Sequence, residues 1–268
     1  MSADQTVGSN NNLTTPLKIA ALLTLALGLG FAISTIVAPL GVWTGMWDFR
    51  KGFSILRWTN ANANWFVYAC LALSFAVITL AFVTKNRIRG VAAMTILGTL
   101  AAAIAWYIPE SFRPAGTAVI PPIHDITTNP DAPEVFVAVV PLRATASNSL
   151  DYGSGPNMTA EKLAQLQGEA YPQIKPQLYS DSLNAVHQKA LKVVEDMGWE
   201  LVASVPEEGR IEATDTTFWF RFKDDVVIKL TQKGEQVELN ARSVSRVGVS
   251  DVGKNSARLT EFFERMKK

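Results

Sequence analysis

Cys70 is the only thiol of this 268-residue chain, and His124 and His187 are its only imidazoles. A lone cysteine excludes an intramolecular disulfide and a cysteine-based zinc site. Two histidines so far apart give no metal-ligand spacing, so no metal is expected. Acidic residues are almost missing from the first part: before Pro109, seven Lys and Arg stand against two Asp. No P-loop, dinucleotide fingerprint or G-x-S-x-G elbow occurs, so no cofactor is expected. From Pro109 onward, eighteen Lys and Arg face twenty-two Asp and Glu. A mildly acidic domain does not neutralise phosphates well, which argues against nucleic acid as a partner.

What is present is apolar length. Three uncharged runs, about residues 19–40, 65–84 and 90–108, each reach the ~20 helical residues that cross a ~30 Å hydrocarbon core. In lipid such runs are helical, because every backbone amide must be satisfied internally. The reading is a tail over 1–17, a transmembrane region over 18–108, a Pro-rich arm over 109–135 and a soluble domain over 136–268. A cleaved signal peptide is the weaker reading of the first run, since Pro39 sits awkwardly for cleavage. No ionisable residue lies mid-span, which argues against a pump, a channel or a transporter of charged substrates.

Lys85, Arg87 and Arg89 crowd the loop between the second and third runs. The lysine and arginine totals on the two sides tie at four each. The dense short loop therefore decides for a cytoplasmic N-terminus and an extracytoplasmic C-terminal domain. Trp43, Trp47, Trp58, Trp65, Trp106 and Tyr107 fall on the other side and read as an interfacial belt, with 41–63 as a loop on the membrane surface. The expected location is the inner membrane, with the bilayer as a partner. Ala72/Ala76 and Gly98/Ala102 would let helices approach closely.

The arm carries prolines at 109, 114, 121, 122, 130 and 133, too many for a regular helix. Residues 141–158 read as loop. Leu183, Val186, Ala190, Val194 and Met197 have helical spacing, with Asp181 or Ser182 as cap and Gly198 as stop. Trp199–Val205 reads as a strand and Glu207–Gly209 as a turn. Phe218, Phe220 and Phe222 alternate with Trp219 and Arg221, predicting another half-buried strand. Asp224 and Asp225 read as the tip of the following turn, before Val226, Ile228 and Leu230. Lys233-Gly234 predicts a hairpin into Val237, Leu239 and Ala241. Leu259, Phe262, Phe263 and Met266 form the stripe of a last helix. The fold class is a membrane α-helical region plus an α+β domain whose helices pack on an antiparallel sheet.

Several segments occur in a telling order: Ile123–Thr128, Met197-Gly198-Trp199, Ile211–Thr214, Asp224–Ile228 and Arg242–Asn255. Together they resemble the bacterial family called domain of unknown function 1499, over roughly residues 120–268. The resemblance implies an envelope-associated domain and names no activity.

The stretch Arg242–Asn255 holds the main site candidates. Arg242 and Arg246 offer guanidinium forks, Ser245 and Ser250 hydroxyls, and Asp251 and Asn255 the start of the last helix. Such a helix start beside two arginines suits a phosphate or carboxylate. The competing reading pairs the arginines with Glu212, Asp224 or Asp225 and leaves Asp251 as a cap. Asp224 and Asp225 are also a possible proton-sharing or cation-binding pair. His124 and Asp125 form a base–orienter candidate, though neighbours in an extended chain point opposite ways. The leading functional expectation is a non-enzymatic module that binds an anionic ligand, a lipid headgroup or an envelope protein. The alternatives are an enzyme, perhaps a hydrolase, acting on an envelope substrate, and a structural subunit of a membrane complex.

Overall fold

A computed structural model describes residues 11–83, 89–111, 120–155 and 157–268. The chain divides into two compact units, 1–116 and 117–268. The N-terminal tail and the basic loop at Lys85 and Arg87 fall largely outside the described residues, as does Pro114 of the arm.

The first unit holds α1 (Asn11–Trp43), α2 (Phe49–Val83) and α3 (Arg89–Ser111). All three are long and apolar enough to cross a membrane. Much of their apolar surface faces outward, including Leu22, Phe75, Phe82 and Ile104, as a lipid-facing bundle requires. The expected surface loop over 41–63 is mostly helix: α2 starts at Phe49 and carries Arg50, Lys51 and Arg57 in its first turns. Trp47 instead folds back on α1 and donates its indole N–H to the Ala38 carbonyl at 3.0 Å.

Packing within the unit uses small and hydroxylated residues. Cys70, Ser74, Val77 and Ala81 form the buried face of α2. Ala72 and Ala76, expected at a contact, face outward instead. Gly98 and Ala102 do lie at a contact, and a Cβ on Gly98 would stand 2.5 Å from the Thr24 carbonyl oxygen. The hydroxyls of Ser34 and Thr59 join α1 to α2 at 3.3 Å, and those of Ser74 and Thr99 join α2 to α3 at 2.8 Å. Such bonds satisfy hydroxyls where no water reaches.

The second unit is an α+β domain. Its elements are β1 (Asp125–Thr127), α4 (Ala160–Ala170), β2 (Gln177–Tyr179), α5 (Leu183–Asp196), β3 (Glu200–Val205), β4 (Arg210–Thr216), β5 (Lys223–Lys233), β6 (Gln236–Ser245) and α6 (Lys254–Met266). One antiparallel sheet runs in the order β1-β6-β5-β4-β3, and β2 pairs with β6 alongside β1. Strand β1 thus comes from the Pro-rich arm, too short a segment for periodicity to reveal. Its outer edge is closed by Gln167 of α4, whose side-chain amide accepts from Thr127 N–H at 3.0 Å and donates to Thr127 C=O at 2.7 Å. A side chain here does the work of a neighbouring strand.

α5 and α6 pack on one face of the sheet. Val186, Ala190 and Val194 of α5 meet Leu259, Phe262 and Met266 of α6 over Ile211, Val226, Ile228, Leu239 and Ala241. Ser182 caps α5, accepting from Ala185 N–H. The other face is covered by the segment 134–150, which buries Phe136 and Val139 on Val227 and Val244.

In this domain two further expectations change. Phe218–Phe222 is the turn between β4 and β5, with Arg221 at φ 55°, and not a strand. Asp224 and Asp225 are not a tip: they lie inside β5, paired in register with Asp215 and Thr214 of β4, and both are buried. The aromatic alternation imitates a strand pattern, but Phe220 and Phe222 stack on each other at 5.8 Å while Phe218 and Trp219 project outward.

Candidate functional site

Successive strand residues point to opposite faces. The named candidates are therefore sorted by register. Arg242, Asp125, Asp225 and Glu212 lie on the face covered by 134–150. Asp224, Ser245 and Asn255 lie on the helix face.

On the first face Arg242 grips Asp125 with both prongs, Nε to Oδ1 at 3.0 Å and Nη2 to Oδ2 at 2.7 Å. Its remaining donors reach the carbonyls of Glu134 and Leu150. The Phe136 and Tyr152 rings flank the guanidinium at 5.5 and 5.6 Å. Beside it, Asp225 accepts from Arg246 at 2.8 and 2.9 Å, from Arg143 at 2.5 Å and from the Thr214 hydroxyl at 2.7 Å. Burial works against its charge, but the hydrogen bonds from Arg246, Thr214 and Arg143 outweigh it and lower its pKa. Glu212 is fully buried and pairs with Arg210; it also accepts backbone N–H groups of Val137, Ala138 and Val139 at 3.0 Å. Three carboxylates thereby bolt the covering segment onto the sheet.

On the helix face Arg258 of α6 reaches Asp224 at 2.6 Å and Asp215 at 2.7 Å. It also donates to the Ser243 hydroxyl at 3.1 Å and to Asn255. The Asn255 amide donates to the Ser245 hydroxyl at 3.0 Å and to the His124 carbonyl at 2.9 Å. Asp251 accepts from Gly253 N–H at 2.7 Å and Asn255 N–H at 2.9 Å, occupying the free amides at the start of α6. Burial raises its pKa despite these two bonds. Ser250 accepts from Val252 N–H at 3.2 Å.

His124 lies apart, its Nδ1 3.3 Å from the Val249 carbonyl oxygen. It lines a cleft with Asp151, Ser154, Gly155, Met158 and Val249 whose interior volume is about 30 Å³, room for about one water. Asp125 borders the same cleft but spends both oxygens on Arg242. Among the described residues, no three His, Cys, Asp or Glu side chains are placed to hold a metal ion.

A profile of the family described as protein of unknown function (DUF1499) matches residues 125–266. The chain belongs to the DUF1499 family. A search of curated proteins finds no match. The match begins at Asp125 and runs through Arg143, Asp225, Arg242 and Arg258, so the DUF1499 domain contains the whole ion-pair lattice. Arg143, Asp215 and Arg258 escape sequence reasoning. Arg258 had a signal, because it shares the apolar stripe of α6 with Leu259 and Phe262; Arg143 sits in an irregular segment and gave none.

Two consequences can be measured. His187 of α5 is fully buried, with Nε2 2.9 Å from the Ser204 hydroxyl and Nδ1 unpartnered among the described residues. Burial lowers its pKa from 6.5, with Glu207 opposing weakly. The unfolded chain then takes up the proton more readily than the folded one. This contribution to stability is intact above about pH 6.5 and declines as pH falls below it. Thermal unfolding of the DUF1499 domain should shift downward between pH 7.5 and 5.5, and His187→Gln should flatten that part of the profile.

Val252 adopts φ 56°, next to Gly253 at φ 81°. A β-branched residue is strained there by roughly 1–2 kcal/mol. Val252→Gly should raise stability by about 0.5–1 kcal/mol after the entropy of the added glycine, seen as a higher denaturation midpoint.

Proposed function

We propose that the protein is an inner-membrane envelope protein whose extracytoplasmic domain works by binding and not by catalysis. Its ligand is an anionic molecule, a lipid headgroup or an envelope protein. One observation carries this reading: Asp125, Asp224, Asp225 and Glu212 are each buried and held by arginine. A general acid or base must reach a substrate proton at about 2.6–3.2 Å. These carboxylates are engaged on two faces of a sheet, and the cleft beside His124 admits little more than a water. The lattice makes a rigid body, suited to presenting a fixed surface. Within the stretch first singled out, Arg242, Ser245 and Asn255 are buried and Arg246 spends its guanidinium on Asp225 and the Leu142 carbonyl, so Ser250 and the loop over 247–250 supply what such a ligand would meet.

Native mass spectrometry of the full-length protein released from lipid nanodiscs tests the reading. Retained lipid or a co-purifying protein is the expected result; a bare chain under all release conditions would contradict it. The side is tested by a reporter enzyme, active only outside the cytoplasm, fused after Lys268. A well-expressed but inactive fusion would place the domain in the cytoplasm.

A further inference from the structure

We infer that the end of the soluble domain where the chain enters it is a membrane-docking surface, with Phe218 and Trp219 seated in the bilayer interface. The turn between β4 and β5 exposes Phe218 to 64% and Trp219 to 50%, and Arg221 and Lys223 flank them at the surface. The loop from β6 to α6 exposes Val249 and Val252, each to 64%. This loop and the aromatic turn are neighbours, because Arg246 N–H donates to the Lys223 carbonyl at 3.0 Å. The incoming chain is at the same end: Ser245 N–H donates to His124 C=O at 2.9 Å and Asp251 N–H to Ile123 C=O at 3.0 Å.

The occupant follows from the chain itself. Eight residues lie between Ser111, the end of α3, and Ile120, a span of nine Cα-to-Cα steps. Whatever its path, that stretch reaches at most about 30 Å. The apolar loops therefore cannot travel far from the membrane that α3 crosses. Tryptophan and phenylalanine beside arginine and lysine fit the interface, where rings sit among headgroups and cations meet lipid phosphates. Tethering keeps the local concentration of bilayer high, so a shallow apolar contact suffices for docking. Val252 supports this use of the surface, since an exposed valine in a left-handed conformation adds strain without adding to the core.

The inference rests on reading the domain as a binding module beside the membrane, and it identifies the bilayer surface as one thing bound. Full-length protein carrying Cys70→Ser and either Val249→Cys or Glu235→Cys is labelled with an environment-sensitive fluorophore. It is then placed in nanodiscs containing spin-labelled lipid. Glu235 lies at the hairpin between β5 and β6, the opposite end of the sheet from the aromatic turn. The expected result is stronger quenching and a blue shift at position 249 only, with both lost in Phe218→Ala/Trp219→Ala. If the effect needs anionic lipid, Arg221 and Lys223 contribute; if it persists in neutral phosphatidylcholine, the rings suffice. Equal quenching at both positions, or quenching at 249 that survives removal of the rings, overturns the inference. Nanodiscs leave both membrane faces open and the readout needs no retained ligand. A failure here is therefore separate from an inactive reporter fusion or a bare chain in native mass spectrometry.

Discussion

Arg258→Met is expected to destabilise the soluble domain by about 3–5 kcal/mol, the usual loss when one partner of a buried ion pair is removed. Arg258 is 6% exposed and joins α6 to two carboxylates at once, Asp224 and Asp215. Methionine fills most of the arginine stem but leaves the buried Asp224 without its cation. Ser243 and Asn255 also lose a charged donor. Adding Asp224→Asn to the variant should recover part of the loss, because the uncompensated charge is then gone. Arg265→Met is the contrast: its pair with Glu261 lies at the surface of the same helix, where ion pairs contribute little. Chemical denaturation followed by near-ultraviolet circular dichroism reads all three. A loss at position 258 no larger than at position 265 would mean that the lattice does not hold the fold.

The sequence displayed this fold wherever burial is one-sided and long. Leu259, Phe262, Phe263 and Met266 announce α6, and each is buried where the stripe puts it. Lys233-Gly234 marks the β5–β6 hairpin because a tight turn needs the glycine at φ 61°. Short or two-sided elements gave no such pattern. β1 and β2 have three residues each, less than two periods of alternation. The helical start of α2 was hidden by Arg50, Lys51 and Arg57, which interrupt an apolar run without interrupting a helix.

The site was harder to read for a different reason. Sequence shows that Arg242 and Arg246 are forks, but their partners depend on which strand edge β1 takes and where segment 134–150 lies. Arg246 does meet Asp225, one of the acids considered for it. Arg242 meets Asp125 instead, which the arm delivers from more than a hundred residues away in sequence. Asp224 and Asp225 look like turn chemistry on paper because they follow five residues rich in aromatics. The turn takes those aromatics instead, and the two carboxylates enter the sheet and part to opposite faces. The exposed Phe218 and Trp219 thus became visible as a surface only once the strand reading of 218–222 failed.

The membrane unit makes an equally large prediction. Gly28→Val should cost about 3 kcal/mol or more of helix association, the upper range for forced overpacking. A Cβ at Gly28 would stand within 2 Å of the Gly98 carbonyl oxygen, and one at Gly98 would collide with the Thr24 backbone. Both obstacles are main chain, so no rotamer change relieves them, and α1 and α3 must move apart. The separation would also strain Cys70, whose Sγ lies 3.8 Å from the Thr24 carbonyl oxygen in the same crossing. Gly30→Val, two residues on, meets nothing within 4 Å and serves as the control for adding a β-branched side chain to α1. Thermal unfolding of the full-length protein in mild detergent should show an early transition for the Gly28 variant alone. The transition of the soluble domain should stay in place, because that domain has its own core of Val186, Ile228, Leu239 and Phe262. A Gly28 variant that melts with the Gly30 control would mean that the α1–α3 crossing tolerates a wider spacing. Glycine at 28 would then serve some need other than close backbone approach.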